Sequence, residues 1–178
     1  MEATKRPAPG DTYVVTYLEM LAPPAHPVPS PPANVRLAVI MAEKPPVEWF
    51  LYLYRTVGHA YHWIDWLSAP VDDLQSFVQD PEVTIHTLML DGWPGGFFML
   101  DTREPGICDL AYFGLVPEAV GRGLGHWFLA SAVAAGWARD GVHRMTVNTC
   151  TLDHPRALSL YQKLGFSPAR REERVFKG

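Results

Sequence analysis

Three glycines lie close together in the stretch Gly121-Arg122-Gly123-Leu124-Gly125, between two apolar segments of different character. Residues 107–114 before it predict a buried strand, and residues 126–137 after it predict a helix. Glycine lets the backbone turn tightly and lets a ligand approach closely. The first amides of a helix have no partner in the chain, and the helix dipole places positive potential there. The sequence therefore predicts a phosphate-binding loop at this junction.

The loop fits neither of two common nucleotide-binding patterns. A Walker-type loop needs Lys-Ser or Lys-Thr after its last glycine, but Gly125 is followed by His126-Trp127. A dinucleotide fingerprint needs G-x-G-x-x-G, and its third glycine falls on His126 or on Phe128, depending on the starting glycine. What remains is the order strand, Gly-Arg-Gly-x-Gly, helix. The alternative is a glycine-rich loop that only connects the two elements.

The segment from Leu115 to Gly125 resembles the coenzyme A loop of the GCN5-related N-acetyltransferases, the GNAT superfamily. In that family a run of the form [Gln/Arg]-x-x-Gly-x-[Gly/Ala] wraps the pyrophosphate of acetyl-CoA with backbone amides. Gly123 and Gly125 fill its two small-residue positions, and Val120 stands where Gln or Arg is usual. Because the family's contacts are mainly from the main chain, we expect this substitution to be tolerated.

A second segment resembles the other signature of the same family, Asn-x-x-Ala-x-x-x-Tyr-x-x-x-Gly-Phe. Ala157, Tyr161, Gly165 and Phe166 match this signature, and His154 replaces its asparagine. The two segments occur in the family's order, with room between them for one helix and one strand. Together they cover roughly the C-terminal third of the chain.

The resemblance implies an acetyl-CoA-binding core over residues 107–166. The strand before the loop should offer backbone groups to the pantetheine amides, and the loop amides should bind the pyrophosphate with Arg122 adding charge. His154 should contact the cofactor arm, although a simple helix-start histidine is an equally good interpretation. The implied cofactor-binding residues are Phe113, Gly114, Leu115, Gly121, Arg122, Gly123, Leu124, Gly125, His126, His154 and Ala157.

Two residues are candidates for proton transfer. Tyr161 matches the tyrosine that commonly protonates the leaving sulfur in this family; the alternative is a core aromatic, because Leu158 and Leu164 share its helix face. Asp109 precedes the loop at the distance where some family members carry a catalytic glutamate, and it is shorter by one methylene. It would act on the amine through water, or else be a strand carboxylate satisfied by local hydrogen bonds.

The acceptor site should come from the segment between the first two helices, where the family varies. That segment holds the aromatic and histidine residues His59, Tyr61, His62, Trp63 and Trp66. An aromatic wall suits an aromatic substrate or an amine cation, and the alternative for each residue is ordinary core. His59 and His62 have helical spacing but no third ligand, so we predict no metal site.

Bulk properties exclude several classes of function. The chain has 178 residues, 48% of them hydrophobic and 19% charged, with a formal net charge of -4 and no long basic cluster. This argues against a nucleic-acid surface and against an anionic-membrane anchor. The two cysteines, Cys108 and Cys150, fall in predicted strands, so buried thiols are expected. There is no apolar run of membrane-spanning length and no signal-peptide pattern, so we expect a cytoplasmic protein.

The sequence predicts one acetyltransferase domain over residues 1–178, with a loose terminus at 1–11 and a Pro-rich connector at 21–33. The predicted element order is β-β-α-α-β-β-β-α-β-α-β. This order indicates an α/β fold of the α+β type, a mixed and mostly antiparallel sheet with helices on both faces. The resemblance adds a splayed strand pair that holds the cofactor. It also implies two C-terminal strands where this chain has one, and we expect residues 12–20 or a dimer partner to cover the open edge.

These observations predict an acetyl-CoA-dependent N-acetyltransferase. It would transfer the acetyl group to a primary amine of a small molecule or peptide, by direct attack in a ternary complex. The partners expected are acetyl-CoA and the amine, with a homodimer left open. A non-catalytic acyl-CoA-binding module on the same fold stays as the alternative, and a nucleotide-binding protein is a third class.

Overall fold

The computed structural model describes residues 7–33 and 35–176. Eleven elements follow in the predicted order. They are β1 (Thr12–Met20), β2 (Leu37–Ala42), α1 (Val47–Gly58), α2 (Val71–Val78), β3 (Val83–Leu90), β4 (Trp93–Asp101), β5 (Ile107–Leu115), α3 (Leu124–Trp137), β6 (Arg144–Cys150), α4 (Ala157–Lys163) and β7 (Ser167–Val175). The alternation of apolar and polar residues in the strands and the helical periodicity elsewhere are enough to produce this order.

The strands form one seven-stranded sheet in the order β2-β3-β4-β5-β6-β1-β7. Every neighbouring pair is antiparallel except β5 and β6, which run parallel. The β3–β4 connection is a tight turn at Asp91 and Gly92, where both residues have positive φ, the conformation that a two-residue hairpin loop requires. The predicted mixed, mostly antiparallel sheet is confirmed.

The helices cover both faces of the sheet, as neighbouring residues of β4 show. Side chains of a strand alternate between faces. Phe97 packs against Phe50 of α1 with ring centroids 6.2 Å apart, and Phe98 packs against Phe128 of α3 at 5.3 Å. Phe113 of β5 also meets Phe128, at 5.4 Å. Helix α1 therefore lies on one face and α3 on the other, and the core fills the space on both sides of the sheet.

Strand β1 lies inside the sheet rather than at its edge. It pairs antiparallel with β6 from Val15↔Cys150 to Met20↔Met145, and with β7 from Thr12↔Val175 to Glu19↔Ser167. Residues 12–20 pair along the side of β6 that would otherwise be an edge of the sheet, as expected, and β7 then adds to the other side of β1. The edge strands are β2 and β7, and the backbone of β1 is hydrogen-bonded to a neighbouring strand on each side. A short sequence pattern does not specify which strands those neighbours are.

One local expectation needs correction. Residues 1–6 of the predicted loose terminus lie outside the described residues, but Gly10 and Asp11 are tied to Phe176 by backbone hydrogen bonds of 2.9 and 2.8 Å. Gly58 ends α1 with helical backbone, with φ of -80°. It has no Cβ because the Trp63 side chain occupies that space. Within the described chain, residues 21–33 form neither helix nor strand, as proline predicts.

The outer edge of the sheet at β7 is polar. Its sequence contains Arg170, Arg171, Glu172, Glu173 and Arg174, and most of these side chains are exposed. Charged residues on an edge strand disfavour pairing with a second chain. The homodimer stays a prediction.

Candidate active site

The parallel pair β5–β6 opens into a gap. Its pairing covers three positions only, Ile107↔Arg144, Cys108↔Met145 and Asp109↔Thr146. Beyond them the strands diverge, so residues 110–115 have no strand partner on the β6 side. On the β4 side, the register shifts between Met99 and Leu100 and leaves Ala111 without a partner. Such a bulge bends a strand and re-aims its side chains. The predicted splayed strand pair is confirmed.

A cavity of about 1230 Å³ fills this gap. It runs along the unpaired half of β5, past the glycine loop, and along one side of α4. The residues predicted for cofactor, substrate or catalysis that line it are Tyr61, His62, Trp63, Phe113, Gly114, Leu115, Gly121, Gly123, Leu124, Gly125, His126, His154, Ala157 and Tyr161. The cavity therefore brings together residues that lie about one hundred positions apart in the chain.

Four predicted residues do not line that cavity. Arg122 instead donates to Asp91 on the β3–β4 turn, at 3.3 Å. His59 lies in a short 3-10 helix, His59–Tyr61, and reaches neither this cavity nor the recess described below. Trp66 and Asp109 line the neighbouring recess.

The glycine loop has the geometry that an anion needs. Gly121 and Gly123 have φ of +85° and +74°, which L side chains adopt only with strain. A Cβ on either one would meet no atom within 4 Å, so the space above the loop is open. Among the described residues, no group accepts a hydrogen bond from the amides of Gly121, Arg122 or Gly123. Helix α3 starts at Leu124, so its first free amides and its dipole point at the same place.

Tyr161 lies on the α4 side of the gap. Its ring packs edge-on against Phe113 and Phe166, with centroids 6.4 and 6.0 Å apart. Burial raises the pKa of the Tyr161 hydroxyl far above its ordinary value, and the charges of Asp153 and Asp109 add to this. The hydroxyl makes no hydrogen bond with another described residue, and it lines the cavity. It is therefore a neutral hydroxyl that can donate a proton inside the gap.

Asp109 lies at the closed end of the gap, where the β5–β6 pairing stops. Thr146 donates a hydrogen bond to its carboxylate at 2.5 Å. Burial raises the pKa of the Asp109 carboxyl; the Thr146 hydrogen bond opposes this shift, and the charges of Asp101 and Glu104 add to it. A carboxyl group with a raised pKa is a stronger base than an ordinary aspartate, as a proton acceptor needs to be.

Asp109 belongs to a second cavity, a recess of about 510 Å³. This recess lies beside α2, and it shares Ala111, Tyr112 and Asn148 with the larger cavity. Ala111 and Asn148 each lie two residues beyond the last paired positions of β5 and β6. The two cavities therefore share a wall near the point where the strands separate, with Tyr161 lining the larger one and Asp109 lining the recess.

The aromatic residues between α1 and α2 surround Tyr112 of β5. Trp63 packs against the Tyr112 ring at 5.2 Å between centroids, and the Trp66 indole N–H donates to the Tyr112 hydroxyl at 2.8 Å. Trp66 also stacks on Phe77 of α2 at 4.9 Å. Burial raises the pKa of Tyr112 to about 12. These residues pack in the core and also line the walls of the cavities, while their part in acceptor binding stays a prediction.

The same segment reaches across the mouth of the gap. The rings of Tyr61 and His154 lie 6.4 Å apart, and those of His62 and Phe176 lie 6.0 Å apart. His62 has left-handed backbone, with φ of 58°. Non-glycine residues in that region carry strain that the surrounding structure must hold, and such residues cluster at ligand sites.

Cys150 also lines the larger cavity, at the end of β6. Burial raises the pKa of its thiol to about 11, and the nearby Asp153 carboxylate adds to this. The Asp153 carboxylate accepts hydrogen bonds from the Thr149 hydroxyl at 2.7 Å and from the Cys150 amide at 2.9 Å. A thiol that stays protonated at neutral pH is a weak nucleophile.

Several cavity residues were not found by sequence reasoning. Tyr112 and Asn148 lie where the two cavities meet, and Tyr13, Arg174 and Phe176 close the larger one at the ends of β1 and β7. The signal for Tyr112 was its place on the strand before the loop, next to Phe113. Nothing local points to the other four, because only the position of β1 in the sheet brings those strand ends to the gap.

The chain belongs to the Acetyltransferase (GNAT) family, whose sequence profile it matches over residues 42–166. A search of curated proteins found no match. Solved structures do match. A GCN5-related N-acetyltransferase from Kribbella flavida is 20% identical with a TM-score of 0.62, over 93% of this chain and 58% of that one. The chain thus spans about three fifths of that protein's length.

Two further structures have the same fold. A tandem GNAT protein from the clavulanic acid biosynthesis pathway is 16% identical with a TM-score of 0.64, over 92% of this chain and 52% of that one. An aminoglycoside N-acetyltransferase, AAC(6')-Iy, in complex with CoA, is 20% identical with a TM-score of 0.54, over 82% of this chain and 95% of that one. Within the described ranges, no helix is long and apolar enough to cross a membrane.

Gly123→Ala tests the glycine loop as an anion site. The new side chain would force a residue at φ of +74° out of its conformation and turn the loop amides away, a cost of about 1–2 kcal/mol. We expect CoA to bind at least about tenfold more weakly by calorimetric titration. Gly141→Ala is the matched control, because Gly141 has φ of +77° and equally open surroundings but lies outside the cavity. Equal CoA affinity in the two variants would contradict the assignment.

Proposed function

We propose that the protein is an acetyl-CoA-dependent N-acetyltransferase that acts on a primary amine of a small molecule or peptide. One observation carries this proposal. The larger cavity and the recess share wall residues where β5 and β6 separate, and the wall of one holds Tyr161, whose buried hydroxyl stays neutral, while the wall of the other holds the half-buried carboxylate of Asp109. Two substrates that enter from opposite sides would therefore meet there, with a proton donor on one side and a proton acceptor on the other.

The donor site is the larger cavity. The amides of residues 121–126 would bind the pyrophosphate, and the backbone groups of residues 113–115 that point away from β4 would bind the pantetheine amides. His154 and Ala157 would contact the arm from α4. Arg122, which pairs with Asp91, would contribute to the potential of the loop. The CoA complex of a neighbour of the same fold agrees with this use of the gap.

The chemistry needs a proton acceptor and a proton donor from the protein. Acetyl-CoA supplies a thioester carbonyl that an amine can attack and a thiolate that leaves. Asp109 accepts the proton that the amine loses, directly or through water. The Tyr161 hydroxyl donates a proton to the departing sulfur, so one proton is taken up and one is released at the meeting point. The burial of both groups keeps their protons within the site.

Direct attack by the amine is favoured over an acetyl-enzyme. The raised pKa of Cys150, about 11, leaves almost none of it as thiolate at neutral pH. Its neighbour Asp153 is a hydrogen-bond acceptor for Thr149 and for a backbone amide, and it raises rather than lowers the thiol pKa. An amine could thus attack the thioester directly, whereas the site has no activated nucleophile that would form an acetyl-enzyme.

The acceptor would bind in the recess beside α2. Its walls combine the aromatic rings of Trp66, Phe77 and Tyr112 with carboxylates. Such walls suit an amine cation, and the aminoglycoside N-acetyltransferases among the neighbours agree with an amine acceptor. Tyr61, His62 and Trp63 would order the acceptor side of the larger cavity, while His59 lines neither cavity. The cytoplasmic location stays a prediction.

Tyr161→Phe tests the proton donor and separates an enzyme from a non-catalytic acyl-CoA-binding module. The ring would keep its packing, and only the hydroxyl would be lost. We expect turnover, measured as amine-dependent thiol release, to fall roughly 10²–10⁴-fold, while CoA affinity stays close to that of the wild type. Tyr52→Phe is the control, because Tyr52 is 47% exposed and lies outside both cavities. Unchanged turnover in Tyr161→Phe would remove Tyr161 from this role.

Asp109→Asn tests the proton acceptor through stability and activity together. The pKa of Asp109 is raised in the folded state, so the fold favours the protonated carboxyl. The contribution of Asp109 to the free energy of unfolding is therefore fully present below the unfolded-state pKa, about 3.9. It is lost as pH rises through the folded-state pKa. The Asn variant should therefore be more stable than wild type in urea at pH 7, with a gain that shrinks towards pH 4. Its turnover should fall roughly 10²-fold or more.

Asp101→Asn is the control for the stability measurement. Asp101 is the register partner of Asp109 on β4. Burial opposes its ionisation, but its hydrogen bonds with Arg103, the shortest 2.7 Å, outweigh burial and lower its pKa. Its contribution to stability is therefore present at neutral pH and lost as pH falls, and the Asn variant should be less stable at pH 7. A loss of stability in Asp109→Asn at pH 7 would contradict the account of Asp109.

A further inference from the structure

Strand β2 forms one edge of the sheet, and this edge has no protection against pairing. Within the described ranges, β3 is the only strand that pairs with it. Its residues, Leu37–Ala42, carry no charge and include no proline. The side chains of Ile40 and Met41 are 55% and 45% exposed, although both are large and apolar. An apolar edge strand presents a row of unpaired backbone groups to another chain.

The two edges of the sheet differ in this respect. At the other edge, β7 has five charged residues in succession, at positions 170–174. Charges on an edge strand are a common device against pairing with a second chain, and β2 has none. The difference points to β2 as the edge that another strand covers.

The free backbone groups of β2 belong to alternate residues. The Asp91 N–H donates to the carbonyl of Arg36 at 2.8 Å, one position before the pair Leu37↔Leu90. Antiparallel strands alternate between hydrogen-bonded and non-hydrogen-bonded pairs. Leu37, Val39 and Met41 therefore direct their N–H and C=O groups away from β3, so donors and acceptors alternate along the open edge.

A second copy of the same strand fits this edge. When two copies of β2 run antiparallel with Val39 facing its counterpart, Leu37 of each copy faces Met41 of the other. All three residues that point outwards are then in hydrogen-bonded pairs with two bonds each. Centring the pairing on Ala38 or on Ile40 instead would leave one outward residue of each copy without a partner. The backbone pattern thus selects one register of self-pairing.

The side chains agree with this arrangement. Arg36 precedes β2 and Glu43 follows it. In the antiparallel pair, Arg36 of each copy lies beside Glu43 of the other, whereas a parallel pair would bring like charges together. On the face of the sheet that α1 covers, Ile40 of each copy would face Ala38 of the other. Cross-strand pairs of this kind stabilise a sheet, and the pairing would cover the exposed Ile40.

The pairing would leave both cavities open. Strands β3 and β4 separate β2 from the gap between β5 and β6. No residue of β2 lines the larger cavity or the recess. An association through β2 therefore does not depend on the proposed function, and the two can be tested separately.

We propose that two copies of the chain associate through β2, antiparallel about a two-fold axis at Val39, so that their sheets become one continuous sheet. The symmetry closes the association, because the edges that remain are the two charged β7 strands. Edge pairing covers a small area, so the dimer should be weak and should dissociate on dilution, with a Kd of roughly 1–100 µM.

Sedimentation equilibrium of the full-length protein, over roughly 1–200 µM to bracket such a weak interface, tests the association. We expect the average mass to rise with concentration from that of one chain towards that of two. In Ile40→Lys, the two introduced charges would lie diagonally across the pair, and the dimer should be at least about tenfold weaker. A wild-type mass that stays at one chain would overturn the proposal, as would unchanged association in Ile40→Lys.

Val175→Lys is the matched control for the sedimentation experiment. Val175 is also 55% exposed and lies on the other edge strand, β7. The substitution makes the same change in charge, so this variant should associate as the wild type does. Association that is lost in Val175→Lys and kept in Ile40→Lys would place the interface at the wrong edge and contradict the proposal.

Cysteine cross-linking tests the register. Residues in a non-hydrogen-bonded pair have Cα atoms about 4.5 Å apart, which a disulfide can bridge. An equimolar mixture of Ala38→Cys and Ile40→Cys should therefore form disulfide-linked dimers on air oxidation. Either variant alone should form few, because its two thiols would lie on a diagonal of about 7–8 Å. Equal cross-linking in the mixture and in the separate variants would overturn this register.

Discussion

The separation of β5 and β6 after Asp109 and Thr146 is the constraint on which the rest of the structure depends. A parallel pair that continued to residue 115 would satisfy its backbone groups and close the sheet. Instead, pairing stops after three positions, and the backbone of residues 110–115 faces a cavity. Buried backbone groups need partners, so a ligand with amides of its own, such as the pantetheine arm of the proposed donor, would complete the hydrogen bonding that the sheet leaves open.

The elements around the gap hold it open. The bulge at Ala111 bends β5 away from its neighbour. The ring of Phe113 packs against Phe128 of α3 on one face, and the ring of Tyr112 packs against Trp63 on the other. Strand β1 then fixes β6 from the opposite side by pairing along its length. Because β1 also pairs with β7, the far end of the sheet stays continuous, and Tyr13, Arg174 and Phe176 reach the cavity.

Much of the fold follows from local sequence patterns. The order of all eleven elements was predictable because apolar periodicity, proline and glycine act over short distances. The bounds of β1 were predictable for the same reason. Helix α4 begins at Ala157, the fourth position of the motif that starts at His154. The place of β1 between β6 and β7 was not predictable, since a strand's sequence does not name its partners.

The candidate site was likewise predictable only in part. The residues on the glycine loop and on α4 were found from two short motifs, and the structure collects nearly all of them around one cavity. The recess that holds Asp109 could not be predicted, because it joins residues of α2, β4, β5 and β6. Nor could the opposite pKa shifts of Asp101 and Asp109, which depend on Arg103 beside the first and on the burial of the second.

The central claim is that this gap binds acetyl-CoA. Thermal unfolding with acetyl-CoA, CoA, ATP and NAD in parallel tests it most directly. A ligand at about 100 times its Kd adds roughly 2.7 kcal/mol to the free energy of unfolding, which is readily seen as a raised midpoint. The account predicts a raised midpoint with acetyl-CoA and with CoA, and an unchanged one with ATP and NAD. A well-folded sample whose midpoint moves with neither acetyl-CoA nor CoA would contradict it.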